Sequence, residues 1–121
     1  MKRNPVVPSL FAPNIEEAIA YYVDVLGFKE TGNWKEDGKC IWAEVALGPS
    51  VLWFFARAID GRPKPVMSGL IYIFVEDVDA VVEMLSGRVA FRWGPEDQPY
   101  GLREVGVEDL NGYLIVFAQD I

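Results

Sequence analysis

The stretch 6–28, VVPSLFAPNIEEAIAYYVDVLGF, constrains the fold most, because the chain contains it twice. It joins a short apolar run, a helix start, an amphipathic face and a helix stop. Asn14 is placed to cap the helix and Glu17 to complete a capping box. Ile15, Ala18, Ile19, Tyr22, Val23 and Leu26 share one helical face, and Gly27 ends it. In a weaker copy, Leu70 follows Val7 by 63 positions, and a second cap, Asp77, follows Asn14 by the same 63. Val78, Val81, Val82 and Leu85 repeat the apolar face. Gly87 follows Gly27 by 60, so the second helix is three residues shorter.

The rest of the chain completes each copy as β-α-β-β-β. Strands are predicted at 6–11, 28–34, 40–47 and 51–57 around a helix at 15–26, with turns at 35–39 and at Gly48-Pro49-Ser50. Pro5 and Pro8 mark the first strand as an edge or a strand beginning. The second copy predicts strands at 70–75, 89–93, 102–108 and 113–118. A polar loop is expected at 94–101 and a turn at Asp109-Leu110-Asn111-Gly112. Gly61, Pro63, Pro65 and Gly69 read as a linker. The expectation is one α+β domain, 1–121, with unit one at about 5–57, a linker at about 58–69 and unit two at about 70–121. Each helix covers one face of a curved mixed sheet, and the other faces are left to line a concave cleft.

Composition narrows the function. The chain has 121 residues, 51% of them hydrophobic and 13% aromatic, enough for a globular core. A formal charge of −7 argues against nucleic acid and anionic lipid as partners and leaves room for a cationic ligand. No run approaches a membrane span, and the basic start MKRNPVV is not followed by an apolar stretch of signal-peptide length. The single cysteine, Cys40, precludes an internal disulfide and fits a reducing cytoplasm. Its apolar surroundings make it a small core residue rather than a reactive thiol. The chain has no histidine, which removes imidazole as base, nucleophile activator or metal ligand.

The block NIEEAIAYYVDVLGF, the closing block YGLREVGVEDLNGYLIVF and the two-unit repeat resemble the vicinal-oxygen-chelate superfamily of glyoxalases, bleomycin-resistance proteins and extradiol dioxygenases. That resemblance implies metal ligands on the inner sheet faces, at positions held here by Val7, Trp53, Leu70 and Val116. None has a side chain suited to a hard or borderline metal. Among metal-free branches the chain looks most like the bleomycin-resistance proteins. Val7-Pro8-Ser9-Leu10 and Gly101-Leu102-Arg103-Glu104 carry the likeness, and Leu110 departs from it where a proline is usual. The likeness implies a homodimer in which each first unit faces the partner's second, with no cofactor.

Strand alternation puts Ser9, Phe11, Tyr72, Phe74 and Leu114 on the same faces as Val7, Leu70 and Val116, with Trp53 and Phe55 beside them. Trp34, Trp42, Trp93 and Tyr100 are placed to rim the space, and Glu44, Glu104 and Glu108 to supply negative charge. The ligand-binding residues expected from this pattern are Phe11, Trp42, Trp53, Phe55, Tyr72, Phe74, Tyr100 and Glu104. Such a wall suits stacking and cation–π contact, each about 0.5–2 kcal/mol. Two functions follow. One is a binding protein that sequesters a planar aromatic or cationic small molecule such as an antibiotic. The other is a metal-independent lyase or isomerase of the glyoxalase fold with Glu104 as base, its pKa raised by desolvation.

Overall fold

The structure, a computed structural model, describes residues 6–57 and 64–121. The first five residues, with Pro5, and 58–63, half of the expected linker, lie outside the described residues. Contacts divide the chain into two compact units, Met1–Pro65 and Val66–Ile121.

In the first unit Asn14 caps α1 (Ile15–Ala20), its Oδ1 accepting from the Glu17 backbone N–H at 3.0 Å. The predicted helix then widens into a π-helical turn, Tyr21–Val25, where Leu26 N–H bonds the Tyr21 carbonyl. Tyr21, Tyr22, Val23 and Val25 all lose side-chain freedom in a tight α-turn, so the helix is intrinsically weak there. Four strands follow the sheet order β1-β4-β3-β2: β1 (Ser9–Phe11), β2 (Lys29–Glu36), β3 (Lys39–Leu47) and β4 (Ser50–Phe55). β1 runs parallel to β4 and the other pairs are antiparallel. β1 starts later than expected because Pro8 has no N–H to give, although its carbonyl accepts from Trp53 at 2.9 Å. Leu10, Ala43, Val45, Leu52 and Phe54 are buried on the α1 side, around Ile15, Ala18, Tyr22 and Leu26. Cys40 is buried with them, a core residue as its surroundings required.

The second unit repeats the plan in the order β5-β8-β7-β6, with β5 (Ile71–Phe74) parallel to β8 (Leu114–Asp120). Asp77 caps α2 (Val78–Leu85), which lies against β6 (Phe91–Asp97), β7 (Leu102–Glu108) and β8. The first half of the predicted polar loop, 94–97, is strand. β6 bulges after Phe91 and after Trp93, then resumes pairing at Glu96↔Glu104 and Asp97↔Arg103. Gly94 permits this, because its φ of 75° suits glycine and a Cβ there would strike the Glu104 carbonyl.

The two sheets have the same register. Ser9 pairs with Trp53 and Tyr72 with Val116, so both partners in the second pair lie 63 positions after those in the first. The fold is α+β, two four-stranded mixed sheets built as tandem β-α-β-β-β units.

Candidate functional site

Cross-strand partners share a face of a sheet, so the registers assemble side chains into rows. On the first unit, the face turned from α1 carries two. Phe11, Phe55, Trp42 and Trp34 are aligned across all four strands, and so are Ser9, Trp53, Glu44 and Gly32. The first is an unbroken aromatic row. Phe11 and Phe55 have ring centroids 5.8 Å apart, and Trp42 meets Trp53 edge-on at 5.4 Å. Trp42 leans over Gly32, where a Cβ would come within 3.3 Å of the indole. The Trp53 indole N–H donates to Glu44 Oε2 at 2.7 Å, and the Thr31 hydroxyl to Glu44 Oε1 at 2.8 Å. That carboxylate is therefore held by the wall and fixes the Trp53 ring. Beside Phe55 opens a cavity of about 510 Å³ lined also by Glu36, Lys39, Ile41, Ala56 and Arg57. Its rim is charged, and the tryptophans lie outside it.

On the second unit the corresponding rows are Tyr72, Val116, Gly106 and Trp93, then Phe74, Ala118, Glu104 and Glu96. The Trp93 indole lies flat on Gly106, with no room for a Cβ between them. Its Nε1–H reaches Glu104 Oε1 at 3.3 Å, and the Tyr100 hydroxyl donates to the same oxygen at 2.9 Å. Glu104 is only 2% exposed. Tyr100 is 60% exposed as a residue, but its hydroxyl is bonded to the buried Glu104. Desolvation, then hydrogen bonds with Tyr72 and Glu104 and the nearby negative charge, hold that phenol well above the ordinary tyrosine range. Tyr72 and Phe74 tilt against each other at 6.4 Å and stay partly exposed, as does Leu70.

The cation next in sequence does not neutralise Glu104. Arg103 faces α2, where its Nε and Nη2 bind Asp79 Oδ1 at 3.0 and 2.9 Å and its Nη1 binds Asp97 Oδ1 at 2.9 Å. Arg103 thus fastens β7 to α2 and β6 and sets the level of Glu104 on the opposite face.

The expected site residues therefore form one group in each unit. Phe11, Trp42, Trp53 and Phe55 gather with Glu44 on the first, and Tyr72, Phe74, Tyr100 and Glu104 gather with Trp93 on the second. Two expectations are corrected. Glu108 offers no spare charge, because Arg92 binds it at 2.7 Å. Val7 and Leu70 precede β1 and β5 rather than lying within them. Val116 keeps its expected face in the row with Tyr72 and is fully buried there. Glu44 fixes Trp53 as well, a pairing whose register is set by the two-residue turn between Leu47 and Ser50.

The positions at which the resemblance implies metal ligands do not fit a metal. Val7, Leu70 and Val116 have hydrocarbon side chains, and Trp53 commits its indole N–H to Glu44. Among the described residues no three Asp, Glu or Cys side chains gather as a metal cluster. Among them, too, no helix is long and apolar enough to cross a membrane.

The fold has close relatives among solved structures. TioX from Micromonospora sp. ML1 is 22% identical with a TM-score of 0.78, over 98% of this chain and 100% of that one. TnmS3, an antibiotic binding protein from Streptomyces sp. CB03234, is 26% identical with a TM-score of 0.72, over the full length of both. Lactoylglutathione lyase from Agrobacterium tumefaciens is 21% identical with a TM-score of 0.71, over 98% of this chain and 94% of that one. No curated protein sequence matches significantly. Residues 4–117 match the family model of the Glyoxalase/Bleomycin resistance protein/Dioxygenase superfamily, and the chain belongs to that superfamily.

Proposed function

We propose that this protein is a metal-independent, cofactor-free binding protein of the bleomycin-resistance kind. As a cytoplasmic homodimer it sequesters a planar aromatic or cationic small molecule such as an antibiotic. The observation that carries the reading is the aromatic surface on the helix-free faces. The row Phe11-Phe55-Trp42-Trp34 crosses one sheet, and Tyr72, Phe74 and Tyr100 stand partly exposed on the other. Rings fixed by a sheet lose little entropy on stacking, so each contributes about 0.5–1.5 kcal/mol beyond its area. The antibiotic binding by TnmS3, 26% identical over its whole length, supports the same direction. So does the poor fit of the expected ligand positions to a metal.

Titration of tryptophan fluorescence with a panel of planar antibiotics and aromatic cations tests the proposal, with thermal shift as an independent readout. Trp53→Ala and Tyr72→Ala should each weaken binding by about 1–3 kcal/mol after correction for any change in folding stability. Dialysis against a chelator should change neither affinity nor melting temperature. A panel in which no compound stabilises the protein, or binding that needs an added metal, would overturn the reading.

A further inference from the structure

The carboxylate of Glu104 is satisfied on one side only. Tyr100 and Trp93 both donate to Oε1, while Oε2 is buried with no hydrogen-bond partner among the described residues. A buried carboxylate oxygen without a donor costs more than almost any other polar defect, so native proteins rarely leave one without a reason. The surroundings preserve the defect. Arg103, the adjacent cation, is fully engaged on the opposite face by Asp79 and Asp97. Glu96 is the cross-strand partner of Glu104 and adds a second negative group, which takes a hydrogen bond from Gln98 at 3.1 Å. The Trp93 indole, seated on Gly106, and the Tyr100 hydroxyl lie against the other oxygen, with Tyr72 hydrogen-bonded to Tyr100 beside them.

We propose that Glu104 Oε2 accepts a hydrogen bond from an N–H group of the bound molecule. The second unit then selects planar ligands that carry a protonated amine over equally aromatic, equally charged ligands with no N–H. This inference rests on the ligand-binding reading above and adds the chemistry of the ligand. Tyr100 is the side chain that admits the donor, since its exposed ring sits in the tight turn closed by the Gly101 N–H on the Gln98 carbonyl. Swinging that ring outward uncovers the carboxylate while Trp93 keeps Oε1 in place. The ligand donor then takes Oε2, and its ring takes the stacking surface beside Tyr72. The cation and the two carboxylates of the row attract each other, but the N–H requirement is separate from charge.

A pair of probes separates these effects: 1-naphthylmethylammonium and its N,N,N-trimethyl counterpart. Both have the same ring and the same charge, and only the first has N–H donors. By fluorescence titration, wild-type protein should bind the ammonium roughly ten- to a hundredfold more tightly. Glu104→Gln keeps an oxygen for Tyr100 and Trp93 but puts an amide N–H2 where Oε2 stood. That variant should bring the two affinities within about threefold of each other. The wild-type ratio needs no variant, so it decides the matter even if Glu104→Gln fails to fold. Equal wild-type affinities, or a preference that survives in Glu104→Gln, would overturn the assignment of Oε2 and leave ligand binding standing. If neither probe binds, the ligand-binding reading fails for this chemistry and the inference fails with it.

Discussion

Tyr100 joins the exposed surface to the buried carboxylate, so its titration is an accessible readout of the site. Desolvation and its hydrogen bonds with Tyr72 and Glu104 raise its pKa in the folded state above the unfolded value of about 10. The folded protein then holds a proton that the unfolded chain gives up, so stability is fully present below pH about 10 and falls as pH rises above it. Melting curves between pH 9 and 11 should therefore show wild type losing stability faster than Tyr100→Phe. Coincident pH profiles would mean that the hydroxyl is not held as described. At this scale Glu104 was legible as a charged residue on an inward-facing strand position. Its one-sided hydrogen bonding was not, because it depends on a turn residue and a bulged strand.

β6 is the element that most departs from expectation, and its packing on β7 shapes the carboxylate site. Its two bulges change the pairing between Phe91↔Val107, Trp93↔Gly106 and Glu96↔Glu104, so no single register derived from a turn would place Trp93. Gly106 is what lets the indole lie against the strand. Gly106→Ala would bring a Cβ to 2.6 Å from three indole atoms, forcing Trp93 aside and breaking its reach to Glu104. Chemical denaturation should show a loss of about 1–3 kcal/mol, accompanied by a changed Trp93 emission. An unaltered midpoint with unaltered emission would show that the indole has room to spare. The helices, by contrast, start where their caps predict, at Asn14 and Asp77, because an N-cap acts over three residues.

For the whole molecule, the unanswered demand is cover for exposed apolar surface. Trp34 on the first unit and Leu70, Tyr72, Phe74 and Tyr100 on the second are all large and at least a third exposed. A symmetric homodimer would cover part of this area in the manner the superfamily resemblance implies. Sedimentation equilibrium at micromolar concentration should report twice the chain mass. A stable monomer at that concentration would remove the dimer from the proposed function while leaving each unit's site to be tested separately.

Local rules operating over a few residues determined much of this protein from its sequence. Caps, apolar periodicity and turn glycines act within one element, so they specify two helices, eight strands and a 63-residue repeat without reference to the rest of the chain. Alternation along β1, β4 and β5 groups Phe11 and Phe55 with Trp53, and Tyr72 with Phe74, while the family resemblance and the 63-residue repeat were needed to say which face they share. Tertiary structure decided what depends on residues brought together from different strands. It joined Trp53 to Glu44, laid Trp93 on Gly106, turned Arg103 away to Asp79 and left Glu104 with one oxygen unbound. The physical reason is one of range. A cap or a turn is set by neighbours in the chain, whereas bulges, cross-strand rings and the satisfaction of a buried carboxylate are set by neighbours in space.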